Sequence, residues 1–169
     1  MKKKTGGIML SIVILITFIA FAGSIYHNKE LDRKEIGNIT NSFFSNKEEA
    51  FLSDSDYSMT EYYCTNDVKS IKNYSSFKLF EYEKQIRNDN ALDISNEKFE
   101  YTINVITIDD DKATVKCYEY YEYTFKNDPE RSSRGTEYQI TFAKKNNEWG
   151  IVDVTTDNEL ERLFADNDV

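Results

Sequence analysis

Few residues in this sequence have the type and the setting for chemistry, and the first of them is Glu119. It falls in an otherwise apolar row of alternating residues, Ala113, Val115, Cys117, Tyr121 and Tyr123. A carboxylate placed in such a row is expected to be desolvated and its pKa raised, the condition of a general acid or base. The same alternation puts Asp153 and Trp149 on that face, so Glu119, Tyr121, Tyr123, Asp153 and Trp149 form a candidate pocket. Other constellations are weaker. The single histidine, His27, lies far in sequence from Cys64 and Cys117, which leaves neither thiol a base of the usual kind and removes Ser-His-Asp chemistry and the common zinc sets. Asp109, Asp110 and Asp111 lack the twelve-residue spacing and terminal glutamate of a calcium loop and read as a solvated turn. No glycine-rich phosphate loop occurs. No catalytic residue, metal set or cofactor is therefore assigned. Tyr118 and Tyr120 alternate out of phase with the apolar row and project from the polar face, where they would form a platform for a cell-surface protein or a wall glycan, or pack across strands.

The elements that position these residues are set by periodicity. From Glu97 the period is two, and four strands can be laid out at about 97–108, 112–126, 134–145 and 148–155. Turns are expected at Asp109 to Asp111, over the polar stretch from Asn127 to Ser133, and at Asn146 and Asn147. A three-residue first turn sets Val105 opposite Val115, Ile103 opposite Cys117, Tyr101 opposite Glu119 and Phe99 opposite Tyr121. A two-residue last turn sets Phe142 opposite Ile151 and Lys144 opposite Trp149. The other face carries Lys98, Glu100, Thr102, Asn104, Lys116, Glu122, Glu137 and Gln139, so one side of the sheet is buried and helices must cover it.

Those helices come first in the chain. Leu31, Ile36, Ile39, Phe43, Phe44, Ala50 and Phe51 recur at three and four residues. A weaker helical pattern runs from Thr60 to Asn90, broken near Ser75 and Ser76, and a short helix is expected at Asp157 to Phe164. The expected fold is α+β, with N-terminal helices packed on one face of a curved, antiparallel, four-stranded meander.

Ahead of all this, Lys2, Lys3 and Lys4 precede an apolar run. Lysines on the near side of such a run keep that end in the cytoplasm and send the downstream chain across the membrane. Ile8 to Tyr26 is 19 uncharged residues, about 28 Å of helix at ~1.5 Å per residue, close to the ~30 Å of a bilayer core. Ala20-Phe21-Ala22 is also a cleavage signature. Residues 1–28 are thus a signal anchor held in the membrane through residues 6–26, or a signal peptide cut after Ala22, and residues 29–169 are one extracytoplasmic domain. The 169-residue chain has a net charge of −9, and the exported part, without the three lysines, stands at −12. Nucleic acid and anionic lipid are poor partners for that surface. Cys64 and Cys117 would meet a compartment that permits a bridge, and both two free thiols and a disulfide are compatible with their spacing.

Long antiparallel strands ending in Tyr138 to Phe142, Lys144 to Trp149 and Ile151 to Val154 resemble the nuclear transport factor two-like, cystatin-like cone superfamily. More narrowly, Asp111 to Val115, the aromatic run Tyr118 to Phe125, Gly135 to Tyr138 and Trp149 to Asp153 are similar to the N-terminal accessory region of secreted amidase-domain proteins of Gram-positive bacteria. The resemblance implies a membrane-anchored or secreted bacterial accessory module that acts by contact at the cell surface. Val169 falls where those proteins would continue into their amidase domain, so the amidase role is not expected to transfer. The cone superfamily also contains ketosteroid isomerases and SnoaL-like cyclases with carboxylates in a pocket between sheet and helices. That implies the alternative, a ligand-binding or isomerase-like domain using Glu119.

Overall fold

The described residues form two helices followed by four consecutive strands. A computed structural model describes residues 4–53, 62–64, 75–89 and 94–157, with the side chains of 4–25, 75–76 and 128–129 left aside. Helix α1 spans Lys4–Leu52 and α2 spans Ser75–Asp89. The strands are β1 (Ile94–Asp109), β2 (Lys112–Phe125), β3 (Asp128–Lys145) and β4 (Glu148–Thr156), antiparallel neighbours in the order β1-β2-β3-β4. The chain divides into two compact units, residues 1–35 and 36–169. Among the described residues no helix is long and apolar enough to cross a membrane. The anchor expected at residues 6–26 lies, Tyr26 excepted, outside the described side chains.

In the second unit the three-and-four spacing of α1 turns Ile36, Phe43, Phe44, Ala50 and Phe51 inward, all nearly inaccessible. They meet the inward row of β2 (Ala113, Val115, Cys117, Tyr121) and that of β3 (Tyr138, Ile140, Phe142). Rings dominate the contact. Phe44 stacks on Tyr101 at 5.1 Å and meets Tyr138 edge-on at 5.2 Å, while Phe51 meets Phe99 and Tyr121 edge-on, each at 5.4 Å. Such pairs each contribute about 0.5–1.5 kcal/mol beyond their buried area. The opposite face of the sheet, with Lys98, Glu100, Thr102, Asn104, Lys116, Glu137 and Gln139 exposed, is the polar face that the alternation predicts.

Register agrees with expectation at some places and departs at others. Asn146 and Asn147 have φ of 56° and 65°, as a two-residue hairpin turn matching the sheet's twist requires. Phe142 accordingly pairs with Ile151 and Lys144 with Trp149. Ile103, Tyr101 and Phe99 face Cys117, Glu119 and Tyr121 as expected. Beyond Ile103 a bulge shifts the pairing, so that Val105 faces Lys116 and Ile106 faces Val115, and the first turn is two residues long, Asp110 and Asp111. Val105 is consequently 50% exposed, and Ile106 takes the inward position expected of it. The stretch 128–133, expected as loop, is strand, because β2 and β3 stay paired up to Asp128.

The helix expected from Thr60 is corrected at its described residues. Tyr63 forms a parallel bridge with Ile151, and the Cys64 amide donates to the Ile151 carbonyl at 2.8 Å. Residues 62–64 therefore lie along the outer edge of β4, held also by the Asn46 amide on the Tyr62 hydroxyl. The C-terminal helix falls outside the described residues except for Asp157. The Asp157 amide donates to the Glu137 carbonyl at 3.1 Å, and its carboxylate accepts from the Glu137 amide at 2.8 Å, which continues the β3–β4 pairing.

Candidate functional site

Glu119 is where the alternation places it, in the inward row of β2 and 4% exposed, between Tyr101 and Thr136 on the neighbouring strands. A buried carboxylate requires a partner. It is Lys47, whose ammonium lies 2.6 Å from Glu119 Oε2. The hydroxyl of Tyr138 donates to the other oxygen at 3.4 Å, and Arg134 Nη2 stands 3.9 Å from it. Arg134 in turn pairs with Glu83 of α2. Lys47, Glu119, Arg134 and Glu83 thus form one neutral cluster of two cations and two anions, drawn from α1, β2, β3 and α2. Aromatic walls enclose it, with the Lys47 ammonium 5.3 Å from the Tyr138 ring centre and 6.0 Å from that of Phe80. Burial raises the Glu83 carboxyl above its ordinary value, against the pull of Arg134 and Lys47. Burial first, and then the Glu119 charge, push the Tyr138 hydroxyl far up, so it stays a donor at any physiological pH.

The partners of Glu119 escape a reading that counts only apolar residues, although the same periods contain them. Lys47 sits in the stripe with Phe43, Phe44, Ala50 and Phe51, Glu83 in the stripe with Leu79 and Phe80, and Arg134 in the row with Thr136, Tyr138 and Ile140. A charge in an inward row is the available signal, and four of them sum to zero.

The five pocket candidates are not brought together. Tyr121 is buried and donates to Glu97 Oε1 at 2.6 Å, and Tyr123 stacks on it at 5.2 Å. Asp153 is a correction. A bulge between Thr141 and Phe142 turns it to the exposed side opposite Thr141, while Val154 takes the buried position. Trp149 is buried at the β3–β4 turn beside Lys144. Lys144 is eight residues along β3 from Thr136, the partner of Glu119, or about 26 Å at ~3.3 Å per residue. Trp149 walls a separate cleft of about 460 Å³ with Ile39, Tyr62, Tyr63, Cys64 and Gly150. Glu119 lines none of the three clefts among the described residues. A general base needs a lone pair within reach of a substrate proton, and Glu119, 4% exposed and paired with Lys47, borders none of those clefts.

Cys64 and Cys117 are free thiols. Among the described residues no group of three His, Cys, Asp or Glu side chains has the spacing to hold a metal ion.

On the outer face, Tyr118 is 40% exposed and Tyr120, half-buried, donates to Glu122 Oε2 at 3.1 Å. The phenol end of Tyr118 reaches across to β3 and fills the space a side chain at Gly135 would need. Next to it the sheet carries a groove of about 400 Å³ lined by Asn104, Lys116, Glu137, Gln139, Thr155 and Asp157.

No family model matches the chain, and no curated protein matches it. Solved structures do. A protein of the NTF2-like family from Streptomyces avermitilis has a TM-score of 0.48 at 12% identity, over 75% of this chain and 96% of that one. The Kfla4162 protein from Kribbella flavida has a TM-score of 0.46 at 19% identity, over 79% and 98%. The association domain of C. elegans CaMKII has 0.45 at 15%, over 76% and 97%. The Streptomyces avermitilis protein and another matching structure, from Salmonella enterica, are described as NTF2-like. Identities this low carry no activity from them to this chain.

Proposed function

We propose that the protein is a non-catalytic contact module, held at or released from the outer side of a bacterial membrane, with the polar sheet face as its working surface. The observation that supports it most is the closure of Glu119 by Lys47 and Tyr138, because the carboxylate that the strand alternation singles out for acid-base work is committed to fastening helices to sheet. Lys2 to Lys4 followed by the apolar run support the location. The likeness of Tyr118 to Phe125 and Trp149 to Asp153 to the accessory region of amidase-domain proteins supports a role that assists a neighbour.

Two measurements test it. Protease added to intact cells should digest the part after Lys29, and full protection of that part would sink the location. Replacing Tyr118 and Tyr120 together by serine should abolish capture of surface partners while the domain stays folded. Capture equal to the parent's would remove the sheet face from the reading.

A further inference from the structure

We propose that the outer sheet face binds a neutral, amide-bearing glycan chain, with Tyr118 as the stacking platform and the adjoining groove as the polar subsite. This rests on the reading of that face as the contact surface and assigns its ligand chemistry.

Tyr118 is held in place rather than merely exposed. It faces Glu137 across the ladder, and its phenol end lies in the notch left by Gly135, so the ring is docked against β3 while two-fifths of the residue stays in water. A docked aromatic surface loses little conformational entropy on binding and offers an apolar area to the C–H face of a pyranose. One residue pair along the same face, Lys116 stands opposite Gln139 and opens the groove. Among the described residues the side chains of Asn104, Lys116 and Gln139 have no protein partner, whereas Asp157 is committed to the Glu137 amide. Two amides and an ammonium, with the Thr155 hydroxyl beside them, supply donors and acceptors in the mixture that hydroxyl and acetamido groups require.

Charge and apolar content select among occupants. Glu137 and Asp157 line the groove against the single ammonium of Lys116, while Glu100 and Glu122 are paired with Lys98 and Arg131, so the groove carries a net negative charge and offers a polyanion no attraction. A protein partner would call for an apolar centre to the patch. Among the described residues Tyr118 and Val105 are the large apolar side chains exposed on the strands. A neutral sugar chain needs one ring to stack on and several polar groups around it, which is what the face presents.

The test uses the full chain in a sugar-free detergent, with chitin beads, a neutral N-acetylglucosamine polymer, as the solid phase and tetra-N-acetylchitotetraose as soluble competitor. The parent should sediment with the beads and be released by the tetrasaccharide. Tyr118→Ser, and separately the pair Asn104→Ala and Gln139→Ala, should each weaken retention at least tenfold with an unchanged thermal midpoint, while Tyr82→Ser on α2 should not. Absence of sedimentation, or retention of these variants at parental strength, overturns the assignment. A photo-crosslinking residue in place of Tyr120 separates the two readings. A protein adduct in cells without chitin binding overturns the glycan and leaves the contact module standing, whereas neither adduct nor chitin binding overturns both.

Discussion

Lys47 and Glu119, 72 residues apart in sequence, meet at 2.6 Å with about 5% of either side chain in contact with water. A buried pair of this kind adds little over an apolar pair of the same shape, but breaking it strands a charge. Lys47→Met should therefore destabilise the domain by about 3–5 kcal/mol in urea unfolding, and Glu119→Gln should destabilise it also. Lys47→Met with Glu119→Leu should recover most of the loss. Parental stability in the two single variants would show that the pair is not closed in solution.

Glu97 governs part of the acid response. Hydrogen bonds from Arg87, and then from Tyr121, hold its carboxyl below the ordinary 4.5 against the effect of burial. A carboxyl lowered by folding stabilises above its unfolded value, and that increment disappears as pH falls through the folded value. Glu97→Gln should thus cost stability at pH 7 and converge on the parent below pH 4.5. A constant difference across the titration would show that the ion pair to Arg87 does not form. The buried Glu83 has the opposite sign, since its raised carboxyl makes the folded state lose stability as pH rises above the ordinary 4.5 toward the folded value.

The two thiols should react very differently. Burial pushes Cys117 up to about 12, and it lies 1% exposed in the core. Cys64 is half-buried at the edge of β4 with its sulfur on the Ala143 carbonyl at 3.4 Å. At pH 8 an alkylating reagent should label Cys64 alone, and Cys117 only after unfolding, as peptide mass spectrometry will report. Recovery of a Cys64–Cys117 disulfide from the native protein would contradict the fold.

Gly135 and Gly150 make a controlled contrast. An added Cβ at Gly135 meets the far end of the Tyr118 side chain, which can swing away, so Gly135→Ala should leave stability within about 1 kcal/mol while undocking the ring and making Tyr118 more readily iodinated. At Gly150 the Cβ would meet Cys64 Sγ at 2.7 Å and the Cys64 backbone at 3.2–3.3 Å, groups tied to β4. Gly150→Ala should cost about 1–3 kcal/mol and speed the labelling of Cys64. Equal stability in the two variants would refute the packing of residues 62–64 on β4.

How much could be read from sequence depends on where the signals are local. The Asn146-Asn147 turn fixed its own register because two adjacent asparagines accept the left-handed conformation that a two-residue hairpin demands. The bulges after Ile103 and Thr141 carried no such mark. Each adds a residue to one strand and reverses the faces beyond it, which is why Val105 left the core and Asp153 left the pocket. Glu119 was visible as an anomaly from its own row. Its partners were not, since Lys47, Glu83 and Arg134 are ordinary polar residues until tertiary packing aligns three inward rows.

The short segment laid along β4 has a bearing on how copies of the protein coexist. With the Ile151 carbonyl already taken by the Cys64 amide, that stretch of strand has no open acceptor there for a foreign chain. At the other margin of the sheet, Lys98 and Glu100 and the irregular pairing around Asn96 and Asn104 spoil the flat ladder that a second chain would need. Copies at high concentration could otherwise pair strand to strand into fibres, and the segment on one border together with the broken ladder on the other opposes that polymerisation.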